Sequence, residues 1–140
     1  MSLEKAAGAI LYHPKKGVLM ILRENKKGLP FPNHWTLPGG HGQWSESAVK
    51  IAKREIWEEI RYKPKKLKLI NVDKFYNHKQ YSFIAIINKP ISQLKLGEGQ
   101  KMAFIPFNKI DKIKIAYGLK KVIRLFIKKY ISNKPRGRSN

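Results

Sequence analysis

At 140 residues the chain has room for one domain with a buried core and none for a second. Its hydrophobic content of 42% is split into short runs, far from the roughly 18 apolar residues of a membrane span, and no signal-peptide apolar region follows Met1. The lack of cysteine excludes disulfides, zinc–thiolate centres and thiol nucleophiles and fits a reducing cytoplasm, while 30 Lys and Arg against 9 acids (net charge +21) make a surface that attracts polyanions.

From the N-terminus, Ala6 to Tyr12 and Gly17 to Arg23 are apolar runs joined by His13-Pro14-Lys15-Lys16, which reads as a hairpin with His13 in the turn. The polar segment from Glu24 to Asn33 holds Gly28, Pro30 and Pro32 and predicts a loop, in which Phe31 and His34 are single residues suited to loop packing or to touching a substrate. Ser45 to Ile60 reads as a helix: Ser45 or Ser47 can cap it, no Pro or Gly interrupts it, and Pro64 follows its end. Leu67 to Phe75 and Gln80 to Asn88 predict a second hairpin, whose Phe83-Ile84-Ala85-Ile86-Ile87 run implies burial on both faces.

Gly97-Glu98-Gly99-Gln100 forms a loop before a short strand over Met102 to Phe107, and Asn108 to Lys112 predicts one helical turn. A final helix begins near Gly118, with Leu119, Val122, Ile123, Phe126 and Tyr130 on one stripe. Residues 1–131 are therefore expected to form the domain and 132–140 a mobile basic tail. The lysines are scattered along the chain rather than gathered into one arm.

The acids are not scattered. Glu46, Glu55, Glu58 and Glu59 lie within one short stretch, and at about 100° per residue the last three fall on one arc of the helix beside an apolar stripe of Val49, Ala52, Ile56 and Ile60. Like charges at this spacing cost about 0.2 to 0.5 kcal/mol per pair, which a hard divalent cation with oxygen ligands would reverse. Spacing alone leaves open a solvated face in which Glu55 and Glu59 pair with basic neighbours.

The stretch Gly40 to Tyr62, GHGQWSESAVKIAKREIWEEIRY, resembles the box of the Nudix hydrolases, G-x5-E-x7-REUxEExGU with U a bulky apolar residue. Gly40, Glu46, Arg54, Glu55, Ile56, Glu58, Glu59 and Tyr62 are in register, and the lead-in WTLPGG is also similar. Six fixed residues at roughly 7% usage each match by chance on the order of once in ten million starting points. Arg61 departs from the pattern, standing where the box has a glycine that leaves the helix in left-handed conformation.

The resemblance implies an α/β fold, a Nudix-like α/β/α sandwich with a mixed β-sheet. It also implies hydrolysis of the pyrophosphate of nucleoside diphosphate derivatives or nucleoside triphosphates, with Mg²⁺ or Mn²⁺ as cofactor. By the same resemblance Gly40, Glu55, Glu58 and Glu59 would hold the metal, Glu58 and Glu59 foremost, while Arg54 and Glu46 would orient the helix and loop. A general base is often drawn from outside the box, and Glu98, set between two glycines, is the candidate. Trp44 is a candidate stacking surface.

The expected partner is a small nucleotide, with no membrane and with the oligomeric state, a homodimer included, left open. The alternatives are an RNA 5′-end pyrophosphohydrolase, suggested by the charge, and a non-catalytic Nudix-fold module binding nucleotide or RNA. Retention of every box carboxylate speaks against the last.

Overall fold

In a computed structural model, residues 4–43, 45–75 and 77–132 are described. Trp44, Arg136, Arg138 and all of the predicted tail except Ser132 lie outside them. Both hairpins form: β1 (Glu4–His13) pairs antiparallel with β2 (Gly17–Leu22), and β5 (Lys68–Lys74) with β6 (His78–Ile86). His13 closes the first turn, its Nδ1 accepting from the backbone N–H groups of Lys15 and Lys16 at 3.1 and 3.2 Å.

The two hairpins join through β1 and β6, which run parallel from Glu4 opposite His78 to Tyr12 opposite Ile86. Two short strands that the sequence reading did not contain, β3 (Trp35–Thr36) and β4 (Gly39–Gly42), pair with β2 and β1, and β7 (Lys101–Ile105) pairs with β2. The result is a mixed seven-stranded sheet.

Each face carries one core. Helix α1 (Ala48–Ile60) covers Ala7, Ala9, Leu11 and Phe83 with Ile51, Ala52, Ile56 and Ile60. On the other face α2 (Lys120–Phe126), continued as a π-helical turn over Ile127–Ser132, packs Val122, Ile123 and Phe126 against Ile10, Val18, Met20 and Ile84. The final stripe is as expected, and the layers are the α/β/α sandwich.

Three local expectations need correction. The first helix starts at Ala48 because Ser47, not Ser45, is its cap, accepting from the Lys50 N–H at 3.3 Å. Its buried stripe includes Ile51. Ile51 packs beneath Gly42, where any side chain would collide with it. Ile86 is 50% exposed, so its run is not buried throughout: the pairing with β5 stops at Ile84, leaving Ile86 at an uncovered corner.

Candidate functional site

The box residues meet where α1 crosses β4. Gly40 pairs with Ala7 in the sheet, and a Cβ on it would strike the Glu55 carboxylate, so only glycine lets that acid lie against the strand. One turn further, Glu59 accepts a hydrogen bond from the Gly39 N–H at 2.8 Å. Glu59 is partly buried. Burial foremost, then the negative charges of Glu55, Glu58 and Glu98, raise its carboxyl from 4.5 to about 8, although the Gly39 bond pulls the other way.

Arg54 holds the remaining acids. Its guanidinium donates to Glu46 at 3.1 and 3.3 Å and to Glu55 at 2.8 Å, stands 3.6 Å from Glu58, and reaches the His41 carbonyl at 3.4 Å. Hydrogen bonds from Arg54 and then from the Gln43 N–H hold the Glu46 carboxyl below its ordinary value. Arg54 and Glu46 thus pair, and the bond fastens the loop after β4 to the middle of α1.

Glu98 is brought to the same place by the far end of the helix. The Lys95 and Gly97 N–H groups donate to the Ile60 and Glu59 carbonyls at 3.1 and 2.8 Å, capping orphan acceptors of the last turn. Gly97 passes so close that a Cβ would lie 3.0 Å from the Glu58 carbonyl oxygen. Gly99 donates to Glu24 at 3.2 Å, and the Gln100 side chain donates to the Arg23 carbonyl and Asn33 Oδ1 at 2.7 and 2.8 Å. Glu98 therefore sits on a loop pinned at both ends, with its exposed carboxylate in electrostatic range of Glu59.

Arg61 takes the left-handed conformation that the box assigns to glycine (φ 55, ψ 45), its N–H bonded to the Trp57 carbonyl at 2.9 Å. Its guanidinium lies over the Trp57 ring, 5.3 Å from the centroid, with Lys63 at 4.9 Å.

Gly39, Gly40 and Glu59 form part of the wall of a cavity of about 680 Å³, a volume typical of small-ligand sites. Phe31 and Tyr117 line it with ring centroids 4.7 Å apart. His34 touches the edge of Phe31 but does not line the cavity. Tyr117, Arg23, Phe75 and His78 were missed in the sequence. Their signal is faint: aromatic or basic residues beside Gly118, at the end of a strand, and in a turn.

The donor chemistry fits a hard divalent cation: oxygen ligands only, mutually repelling, one of them raised in pKa by burial and then by that repulsion. As they stand, the acids are shared between Arg54 and the Gly39 N–H, and among the described residues no three acidic or imidazole groups are close enough together to hold an ion.

A family model described as the NUDIX domain matches residues 2–126. No curated protein matches the chain in sequence. Among solved structures, a MutT from work on Aliivibrio salmonicida and Vibrio cholerae superposes with a TM-score of 0.76 at 17% identity, over 91% of this chain and 98% of that one. A NUDIX hydrolase from Nitrosomonas europaea gives 0.74 at 20% identity, over 95% and 74%. The NUDIX domain of Shewanella oneidensis NrtR, complexed with ADP ribose, gives 0.71 at 17%, over 89% and 85%. At these identities the likeness speaks for the fold, and the family match speaks for descent.

Proposed function

Because the chain belongs to the NUDIX domain family, we propose that it is a divalent-metal-dependent hydrolase, cytoplasmic, that cleaves the pyrophosphate of nucleoside diphosphate derivatives or nucleoside triphosphates. The observation that carries this is Glu59: a partly buried carboxyl, raised to about 8 beside three further acids, on the wall of the cavity, in a chain otherwise short of acids. The ADP ribose held by the Shewanella domain is itself a nucleoside diphosphate derivative.

Glu58 and Glu59, with Glu55 and the Gly40 carbonyl, would hold Mg²⁺ or Mn²⁺, which when bound supplies charge for the diphosphate and acidity to a water. Arg54, through Glu46, Glu55 and Glu58, keeps the acids in place and fixes the loop. Glu98 takes the proton from the attacking water as its oxygen bonds to phosphorus and the bridging P–O bond breaks.

The test is a phosphate-release assay over nucleotide classes with Mg²⁺ and Mn²⁺. Glu58→Gln and Glu59→Gln should each lose at least about 2 to 3 kcal/mol of transition-state stabilisation while staying folded. Glu98→Gln should lose about 100-fold in turnover with metal affinity unchanged. Full activity of either metal-site variant, or of the wild type in excess chelator, would sink this reading. Pyrophosphate removal from RNA ends is the second reading, favoured by the net charge of +21.

A further inference from the structure

The outward side of α1 carries a group of residues that neither the box nor the cavity uses. At about 100° per residue Lys50, Lys53, Trp57 and Arg61 fall on one stripe roughly 80° wide, with the buried Ile56 and Ile60 on one side of it and Arg54 and Glu58 on the other. All four are exposed, as is Lys63 just past the helix exit. At a rise of about 1.5 Å per residue the stripe is about 16 Å long. None of its residues lines the cavity.

Its cations are free of acids. Among the described residues none of the four lies within ion-pair distance of a carboxylate, whereas Arg54, Lys121 and Arg124 all do, and only Lys50 acts at longer range on Glu46. Trp57 is 40% exposed, with the Arg61 guanidinium 5.3 Å and the Lys63 ammonium 4.9 Å from its ring centroid. Both charges ride on long flexible stems and can leave the ring for an anion. The arginine is held there under strain: its backbone is left-handed (φ 55), a conformation that glycine adopts freely and a residue with a Cβ avoids. The turn alone needs glycine; arginine adds a cation over a ring.

Cations interleaved with an exposed ring suit a polyanion that carries planar groups, with phosphates on the cations and a base on the indole. That base must be unpaired, since only unstacked bases offer a face to an aromatic side chain. A membrane fits less well, because the apolar side of α1 is spent on the core, where Ile51, Ala52, Ile56 and Ile60 are fully buried. We propose that this face binds single-stranded RNA, as a partner held outside the cavity and not as a substrate. Lys50, Lys53, Arg61 and Lys63 take backbone phosphates, and Trp57 stacks a base. That the strand is RNA rather than DNA rests on the cytoplasmic setting proposed above; hydrolysis plays no part.

The test is fluorescence anisotropy of a labelled oligouridylate of about 12 nucleotides with a 5′-hydroxyl end, in excess chelator, so that pyrophosphate hydrolysis does not enter. Binding should fall with salt at a log-log slope of about −2 to −3, as three or four phosphates at roughly −0.7 each require. Trp57→Ala should weaken it about 10-fold, and Trp57→Phe, which keeps a ring, about 3-fold or less. Arg61→Gly should weaken it about 3-fold and flatten the slope by about 0.7 while leaving the fold at least as stable, a combination that a merely structural arginine would not give. Lys53→Ala should also cost about 3-fold, and Lys128→Ala, on the opposite face of the sheet, nothing. Equal losses from Lys53→Ala and Lys128→Ala, undiminished binding by Trp57→Ala, or a duplex of the same length bound as tightly would each reduce the effect to net charge and overturn the proposal. Trp57-dependent capture by phosphatidylserine vesicles with no binding of the oligouridylate would overturn it too. Each of these outcomes leaves the hydrolase reading standing, and a chain that binds the strand in this way but hydrolyses nothing would sink the hydrolase reading alone.

Discussion

Glu59 gives the site a pH signature in the absence of metal. Its carboxyl is raised from 4.5 to about 8 by burial and then by its acidic neighbours, so the folded state binds that proton more tightly than the unfolded chain does. The stabilising contribution is complete below about pH 4.5 and is lost as pH rises through about 8. Melting in excess chelator should therefore lose up to about 5 kcal/mol across that window, less as solvent screens this partly exposed group, with the slope abolished in Glu59→Gln and reversed by Mg²⁺ at the upper end. A flat profile would mean that Glu59 ionises without cost. Glu46 acts with the opposite sign: its lowered pKa gives stability at neutral pH that disappears in acid as the bond to Arg54 is protonated away. The acids themselves were legible because helical spacing and their rarity elsewhere single them out. Phe31 and Tyr117 were not legible as a pair, since their meeting depends on left-handed backbones at two distant positions, which an aromatic residue does not advertise.

At the scale of elements, α1 shows how a departure from a pattern can be absorbed. Arg61 adopts the conformation reserved for glycine, at a cost of about 1 to 2 kcal/mol, and recovers part of it over the Trp57 ring. Arg61→Gly should raise the urea midpoint by the equivalent of about 0.5 to 1 kcal/mol, because Lys63 still covers Trp57 when the arginine is gone. A lower midpoint would show that the stacked arginine contributes more than its backbone costs. The long strands and both helices follow from periodicity and from turn residues such as His13-Pro14. Strands β3 and β4 do not, for Trp35–Thr36 and Gly39–Gly42 are too short to carry a period, and the second is glycine-rich where the site needs close approach. The π-helical end of α2 is equally silent, since its residues also suit an α-helix.

At the scale of the whole molecule, the charge of +21 is a property that the box does not require. A small substrate touches few phosphates, so its binding should fall with salt at a log-log slope equivalent to about two or three of them, and RNA binding should be weak and fade at physiological salt. A slope of about six or more for RNA, with tight binding surviving that salt, would put RNA-end hydrolysis first. The sandwich itself was legible from two hairpins, a helix between them and a helix at the end. Which strands join the hairpins was not: no local feature of Ala6 to Tyr12 or of Gln80 to Ile86 says that they run side by side in the same direction.

That parallel seam sets the order of events in synthesis. Across it Lys5 pairs with Lys79 and Tyr12 with Ile86, so this seam cannot close until the chain is extruded well past its midpoint. Meanwhile α1 is complete, with Ile51, Ile56 and Ile60 waiting for the Phe83 that will cover them. Closing a loop of that length before any contact rewards it is entropically slow, so the nascent chain spends its riskiest interval with the acidic helix formed and its apolar face only partly covered.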